Sequence, residues 1–190
     1  MAAKHKRVKF TESKSIGSEI NCMFTNAQSV VNKLSEITNL LVTQDIYVLG
    51  VAETWLNNEI KDSELKIEGY NIFRRDRTRS DKKTGGGVMA YVKDTISVTV
   101  LNDINDDKHE SLWLQLTGDK SSELCLGICY RSPDCPEDMN QELFRSIRKY
   151  SNKNLLLMGD FNYGGIDWIR MDAPMQGEEF LNLVNDCFLF

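Results

Sequence analysis

An aspartate and an asparagine two positions apart, Asp160 and Asn162, close the run "LLLMGDFN". The four apolar residues ahead of Gly159 fit a buried strand, which accounts for everything except the polar pair at its mouth. A carboxylate and an amide there can hold a cation, orient a water or accept a proton, or they can simply turn the chain. Two other apolar runs end in the same manner, "EINCMFTN" on Asn26 and "DIYVLGVAET" on Glu53-Thr54. In open α/β sheets the carboxyl ends of strands form the ligand crevice. Glu53 and Asp160 brought together there repel each other unless a positive charge sits between them. Two carboxylates with amides and no histidine cluster describe a site for a hard cation, Mg2+ or Mn2+, that keeps several waters. For any one of these residues the turn-forming role is the commoner one. Jointly they point to a metal and phosphate-ester site.

The elements that must position them follow from periodicity. A strand from about Ile20 to Thr25 leads to "SVVNKLSEITNLLVT", whose apolar residues recur at intervals of three and four and predict a helix with Ser29 as its N-cap. The nearly continuous apolar run of "DIYVLGVAET" predicts a strand buried on both faces. Strand, helix and strand in that order imply a right-handed crossover and a parallel pair. Next come "YNIFRR", "GGGVMAYVK", "ISVTVLN", "SLWLQL" and "ELCLGICYRS", short β-rich runs without helices between them, which predict an antiparallel series. Gly85-Gly86-Gly87 lacks the lysine and hydroxyl of a phosphate-cradling loop, so it is read as a bend or a close backbone approach. "PEDMNQELFRSIRKY" predicts a second helix, entered through Pro136 and two acids. A buried strand through Asp160 and a last helix from "GEEFLNLV" complete the order. Mixed strands with helices outside them predict an α/β or α+β layered sandwich.

Composition narrows the class. A chain of 190 residues, 41% hydrophobic and 27% charged, supports one soluble globular domain, and no apolar run has the length of a membrane span. The basic N-terminus "MAAKHKRVKF" has no apolar segment behind it, so it is read as a tail over residues 1–18 rather than a secretory signal, with the domain over 19–190. The expected location is nuclear or cytoplasmic. Five scattered cysteines and two histidines lack metal-ligand spacing, which favours reduced, buried thiols. A formal charge of −5 excludes a protein that coats nucleic acid over its whole surface. It leaves room for a local basic site in "RRDRTRSDKK", where Arg74, Arg75, Arg77, Lys82 and Lys83 are candidates for phosphate-backbone contact. The plainer reading of that run is a solvated loop.

Six segments in order, "NAQSVVNKLSEI", "DIYVLGVAETWL", "GYNIFRRDR…GGGVMAYV", "SLWLQL", "LCLGICYRSP" and "LLLMGDFN", resemble the endonuclease/exonuclease/phosphatase superfamily. The resemblance is strongest to the apurinic-like endonuclease domain of non-LTR retrotransposons and covers about Ile20 to Phe190. It implies two packed mixed β-sheets flanked by helices in four layers, and divalent-metal-dependent cleavage of a phosphodiester in DNA. Within a parent element it also implies a reverse transcriptase domain as partner. Position by position it makes Glu53 the metal-binding glutamate and Asn26 the asparagine close to metal and phosphate. Tyr130 becomes the tyrosine that hydrogen-bonds the scissile phosphate. Asp160 becomes the residue that positions or deprotonates the attacking water, with Asn162 as its companion. Without the resemblance Tyr130 reads as an ordinary strand tyrosine.

The chain also departs from the pattern. Gln28 stands where apurinic endonucleases often carry an aspartate near the metal. No Ser-Asp-His occurs in these 190 residues, and the context of His109 does not match the family's late histidine. On this reading the domain is truncated at its C-terminus, lacks its last strands, and is impaired, since one charge-stabilising donor is commonly worth about 10²–10³ in rate. The competing expectations are a non-catalytic module that holds nucleic acid or protein, and a phosphatase of the same superfamily.

Overall fold

Along most strands, successive side chains serve two different cores, and that alternation builds the layers. The computed structural model describes residues 3–9 as backbone, and residues 19–77, 85–101, 109–118 and 123–189. The elements are β1 (Ala3–Lys9), β2 (Glu19–Asn26), α1 (Val30–Thr43), β3 (Val48–Ala52), β4 (Tyr70–Arg75), β5 (Val88–Lys93), β6 (Ser97–Val100), β7 (Glu110–Thr117), β8 (Glu123–Tyr130), α2 (Glu137–Tyr150), β9 (Leu155–Asp160) and α3 (Met175–Asp186). One sheet runs β1-β2-β3-β5-β4 and the other β6-β7-β8-β9. The pairs β2–β3 and β8–β9, each joined through a helix, are parallel, and every other pair is antiparallel.

Residues of one parity, Val48 and Ala52, Val88, Ala90 and Val92, meet Leu112, Leu114, Leu116, Leu126, Ile128 and Met158 between the sheets. Those of the other parity in the first sheet, Leu49, Val51, Met89 and Tyr91, pack with Val30, Ile37 and Leu41 of α1. In the second sheet Trp113, Cys125 and Cys129 pack with Leu143, Phe144 and Ile147 of α2 and Phe180 and Leu183 of α3. A pleat that buries both faces needs the unbroken apolar runs seen in the sequence. The result is a layered sandwich as periodicity predicts, with the four layers that the resemblance implies: helix, sheet, sheet, helices.

Of the segment expected to be a tail, residues 3–9 form β1 and pair with β2 from Ala3↔Thr25 to Lys9↔Glu19. Helix α3 starts at Met175, two residues before the expected "GEEF", with Pro174 as its N-cap. All five cysteines are free thiols, and burial pushes Cys22 up to about 12 and Cys125 to about 11. No helix among the described residues is long and apolar enough to cross a membrane.

Candidate active site

The last inward-facing positions of several strands converge at one mouth of the sandwich. In the second sheet Glu110, Tyr130 and Asp160 form one register row across β7, β8 and β9. In the first sheet Asn26 stands opposite Ala52, and Glu53 follows directly. Because β7 runs against its neighbour, its first residue lies at the same edge as the last residues of β8 and β9.

Asn26 joins the two sheets. Its Nδ2 donates to Glu53 Oε1 at 3.1 Å and to Asp160 Oδ2 at 2.9 Å, which spends both amide protons and fixes the orientation of the side chain. Its Oδ1 is buried and has no hydrogen-bond partner among the described residues. The Tyr130 hydroxyl hydrogen-bonds Glu53, and the Trp55 indole N–H donates to Glu53 Oε2 at 3.1 Å. Burial, then the Glu53 charge, raises Tyr130 well above the usual tyrosine value, so its hydroxyl keeps its proton.

Glu53 reaches this position on left-handed backbone (φ 50), as does Trp55 (φ 56). Backbone hydrogen bonds hold them there. Ser29 and Val30, at the start of α1, donate to the carbonyls of Glu53 and Thr54, each at 3.0 Å. Thr54 and Trp55 donate to Gly87 and Gly86 at 3.3 and 3.0 Å. The glycine loop is pinned in turn by Glu110, whose Oε2 accepts the Gly87 N–H at 2.5 Å while Oε1 takes Arg77 Nε at 2.7 Å. That ion pair is buried, its side chains 7% and 9% exposed. A Cβ on Gly87 (φ 81) would lie 2.5 Å from Thr54 Oγ1. Gly87→Ala is therefore expected to cost about 1–3 kcal/mol from the backbone conformation alone. The urea midpoint reports it, and Gly164→Ala, whose Cβ meets nothing within 4 Å, is the control.

The structure thus brings Asn26, Glu53, Tyr130 and Asp160 together. Asn162 (φ 51) lies beside them, but its Nδ2 donates to the Arg131 carbonyl at 2.7 Å rather than to Asp160. Of the basic run, the described arginines Arg74 and Arg77 are engaged within the protein. Arg74 bonds both oxygens of Asp76, Asp62 at 3.0 Å and the carbonyls of Ile60 and Asn57 at 2.8 and 2.7 Å. Arg77 belongs to Glu110, Arg75 is half-buried at the end of β4, and Lys82 and Lys83 lie outside the described residues. Sequence reasoning passed over Glu110 and the Gly86-Gly87 contacts. The signal was an acid opening an antiparallel strand, which topology brings to the carboxyl ends of its neighbours.

Among the described residues no three His, Cys, Asp or Glu side chains gather as a metal cage. What is present is two carboxylates held close by one amide, and an orphaned amide oxygen beside them. Oxygen donors few in number suit a hard divalent cation that keeps most of its waters.

Residues 19–180 match the model of the endonuclease/exonuclease/phosphatase family. No curated protein matches the chain. Among solved structures, the endonuclease domain of TRAS1, a telomere-specific non-LTR retrotransposon, is similar at 15% identity and a TM-score of 0.63, over 87% of this chain and 71% of that one. The 3'-5' exonuclease NExo of Neisseria meningitidis gives 18% and 0.61, over 86% and 70%. The AP endonuclease LMAP of Leishmania major gives 14% and 0.61, over 87% and 64%.

Proposed function

The chain belongs to the endonuclease/exonuclease/phosphatase family, and from that premise we propose that it hydrolyses phosphodiester bonds of DNA with a divalent cation, nicking the target site of a retrotransposon that also encodes a reverse transcriptase. The observation that carries this reading is the Asn26 amide, bonded to Glu53 on one sheet and Asp160 on the other, with its own oxygen left unpartnered.

Glu53 and the Asn26 oxygen would hold Mg2+ or Mn2+, which when bound supplies positive charge for the phosphoryl oxygens. The protein's own residues do the rest. Asp160, half-exposed at the end of β9, orients a water and takes its proton. Tyr130, protonated across the working pH range, turns its single O–H from Glu53 to a non-bridging oxygen when substrate is bound. Asn162, exposed at the rim, offers its amide to the same phosphate. The internal pairing of Arg74 and Arg77 weakens the case for a non-catalytic module that binds through the basic run.

Nicking of supercoiled plasmid tests this directly. The purified chain should relax plasmid with Mg2+ or Mn2+ and not in EDTA, at the reduced rate expected of a sequence without the Ser-Asp-His donor. Hydrolysis of inositol phosphates in place of DNA would move the chain to the phosphatase reading. Salt-sensitive DNA binding with no metal-dependent nicking would move it to the binding module.

A further inference from the structure

Beyond Tyr130 and Asp160 the mouth continues into a polar cleft of ≈ 360 Å³. Arg131, Asn140, Asn162 and Tyr163 line it, together with the first turns of α2 and α3. Arg131 begins it, its backbone N–H donating to the Asp160 carbonyl at 2.9 Å. The guanidinium is fixed on three sides: Nε donates to Asn140 Oδ1 at 3.0 Å, Nη1 to the Phe161 carbonyl at 3.4 Å, and the group stacks 4.1 Å from the centre of the Tyr163 ring. That ring is backed by Phe180 at 4.8 Å. Arg74 shows what a structural arginine looks like here, with both terminal nitrogens and Nε bonded internally. Arg131 differs, for among the described residues it has no ion pair and its Nη2 has no partner.

Asn140 is the second donor. It is 4% exposed, and its Oδ1 accepts from both Arg131 and the Tyr163 hydroxyl, the latter at 2.8 Å. Those two bonds fix the amide, so Nδ2 faces the cleft, where no described residue accepts from it. The Nδ2 atom is open to the water of the cleft, which a ligand acceptor can replace. Helices α2 and α3, whose first turns line the cleft, both start on proline N-caps without a side-chain cap. Glu137 and Glu179 stand exposed at the rim, where both hold Gln141 Nε2, at 2.6 and 2.7 Å. Their charge is screened by water.

We propose that this cleft is a second phosphate subsite, taking the phosphodiester next to the scissile one on the same DNA strand, with Arg131 Nη2 and Asn140 Nδ2 as its donors. The inference rests on the phosphodiesterase reading above and deepens it. A substrate with one phosphate fills only the Asp160 end, while a polynucleotide fills both, so the cleft selects strands over small phosphate esters.

Asn140→Asp is the test, because it keeps an acceptor for Arg131 and Tyr163 and replaces the cleft donor by an anion. Binding of a short fluorescent single-stranded oligonucleotide is measured by anisotropy in EDTA, so no turnover intervenes. The variant should bind about ten-fold more weakly or worse. Its log–log salt slope should be shallower by about 0.7, one phosphate contact on a single strand. Unchanged affinity and slope would overturn the subsite. Inorganic phosphate should compete only weakly against the oligonucleotide, and phosphate that binds as tightly as the strand would assign the cleft to a free anion instead. Should Asn140→Asp unfold, Arg131→Lys keeps the charge but not the planar fork. It should lose affinity several-fold with its slope unchanged, and no loss counts against the proposal. If oligonucleotide binding depends on Asn140 while the parent chain never nicks DNA, the phosphodiesterase reading fails and the anion site stands.

Discussion

Asp160→Ala should lower Mg2+-dependent plasmid nicking by about 10³-fold, to the background of a mock preparation. The size of the effect follows from where the carboxylate stands. Asp160 is the last residue of β9, in register with Tyr130, and its carboxylate accepts from the amide of Asn26 at 2.9 Å. A residue placed to support the fold would be buried among partners, yet this one is half-exposed at the mouth, where a water can reach it. Removing it also separates two like charges that share one amide, so the folded state should lose no more than about 1 kcal/mol. The variant is therefore expected to unfold near the parent's urea midpoint and to keep its oligonucleotide affinity. Equal nicking by parent and variant would trace the activity to a contaminant. A large fall in stability would instead make Asp160 a structural residue.

Most of the fold was legible because its strands are buried on both faces. A run such as "DIYVLGVAET" has no polar side to show, and a strand without one must lie inside a layered protein. Helices α1 and α2 announced themselves by spacing, and Ser29 by its type. Strand β1 did not. "AKHKRVK" offers basic residues and no apolar face, and an edge strand of that kind is held by its ladder with β2, which leaves no trace in composition.

The site divides along the same line. Asn26, Glu53 and Asp160 are visible as polar ends of apolar runs, and one local rule found all three. The partners of Arg74 and Arg77 in the basic run are not legible locally, being remote or unremarkable in sequence. Arg77 meets Glu110, 33 positions away, only because β4, which it follows, and β7 lie in facing sheets whose ends coincide. Charge that looks solvated in a string can be neutralised inside once the layers close. The Gly86-Gly87 pair carried a real signal, close backbone approach, but not the identity of what approaches. That depends on the same coincidence of strand ends.

Tyr130→Phe should reduce nicking by about 10²–10³-fold, mostly in kcat, and leave the shape of its pH profile unchanged between about pH 6 and 9. Tyr130 is 7% exposed, its ring packs in the core between the sheets, and phenylalanine fills the same space. Only the hydroxyl is lost, and with it one donor to Glu53. Burial and the nearby Glu53 charge raise the tyrosine above its ordinary value of about 10, so through the working range it is neutral. A neutral hydroxyl donates and does not titrate, which predicts a uniform drop rather than a lost limb. Linkage gives a second readout from the same shift. A group raised on folding contributes stability below its unfolded value and loses it as pH climbs towards the folded one, so Tyr130 helps the parent below about pH 10 and less above it. The parent's urea midpoint should then fall more steeply above pH 10 than that of Tyr130→Phe, which has no phenol to ionise. If the variant instead removes an alkaline limb of the rate profile, Tyr130 exchanges a proton with substrate, and its role changes from donor to acid–base group.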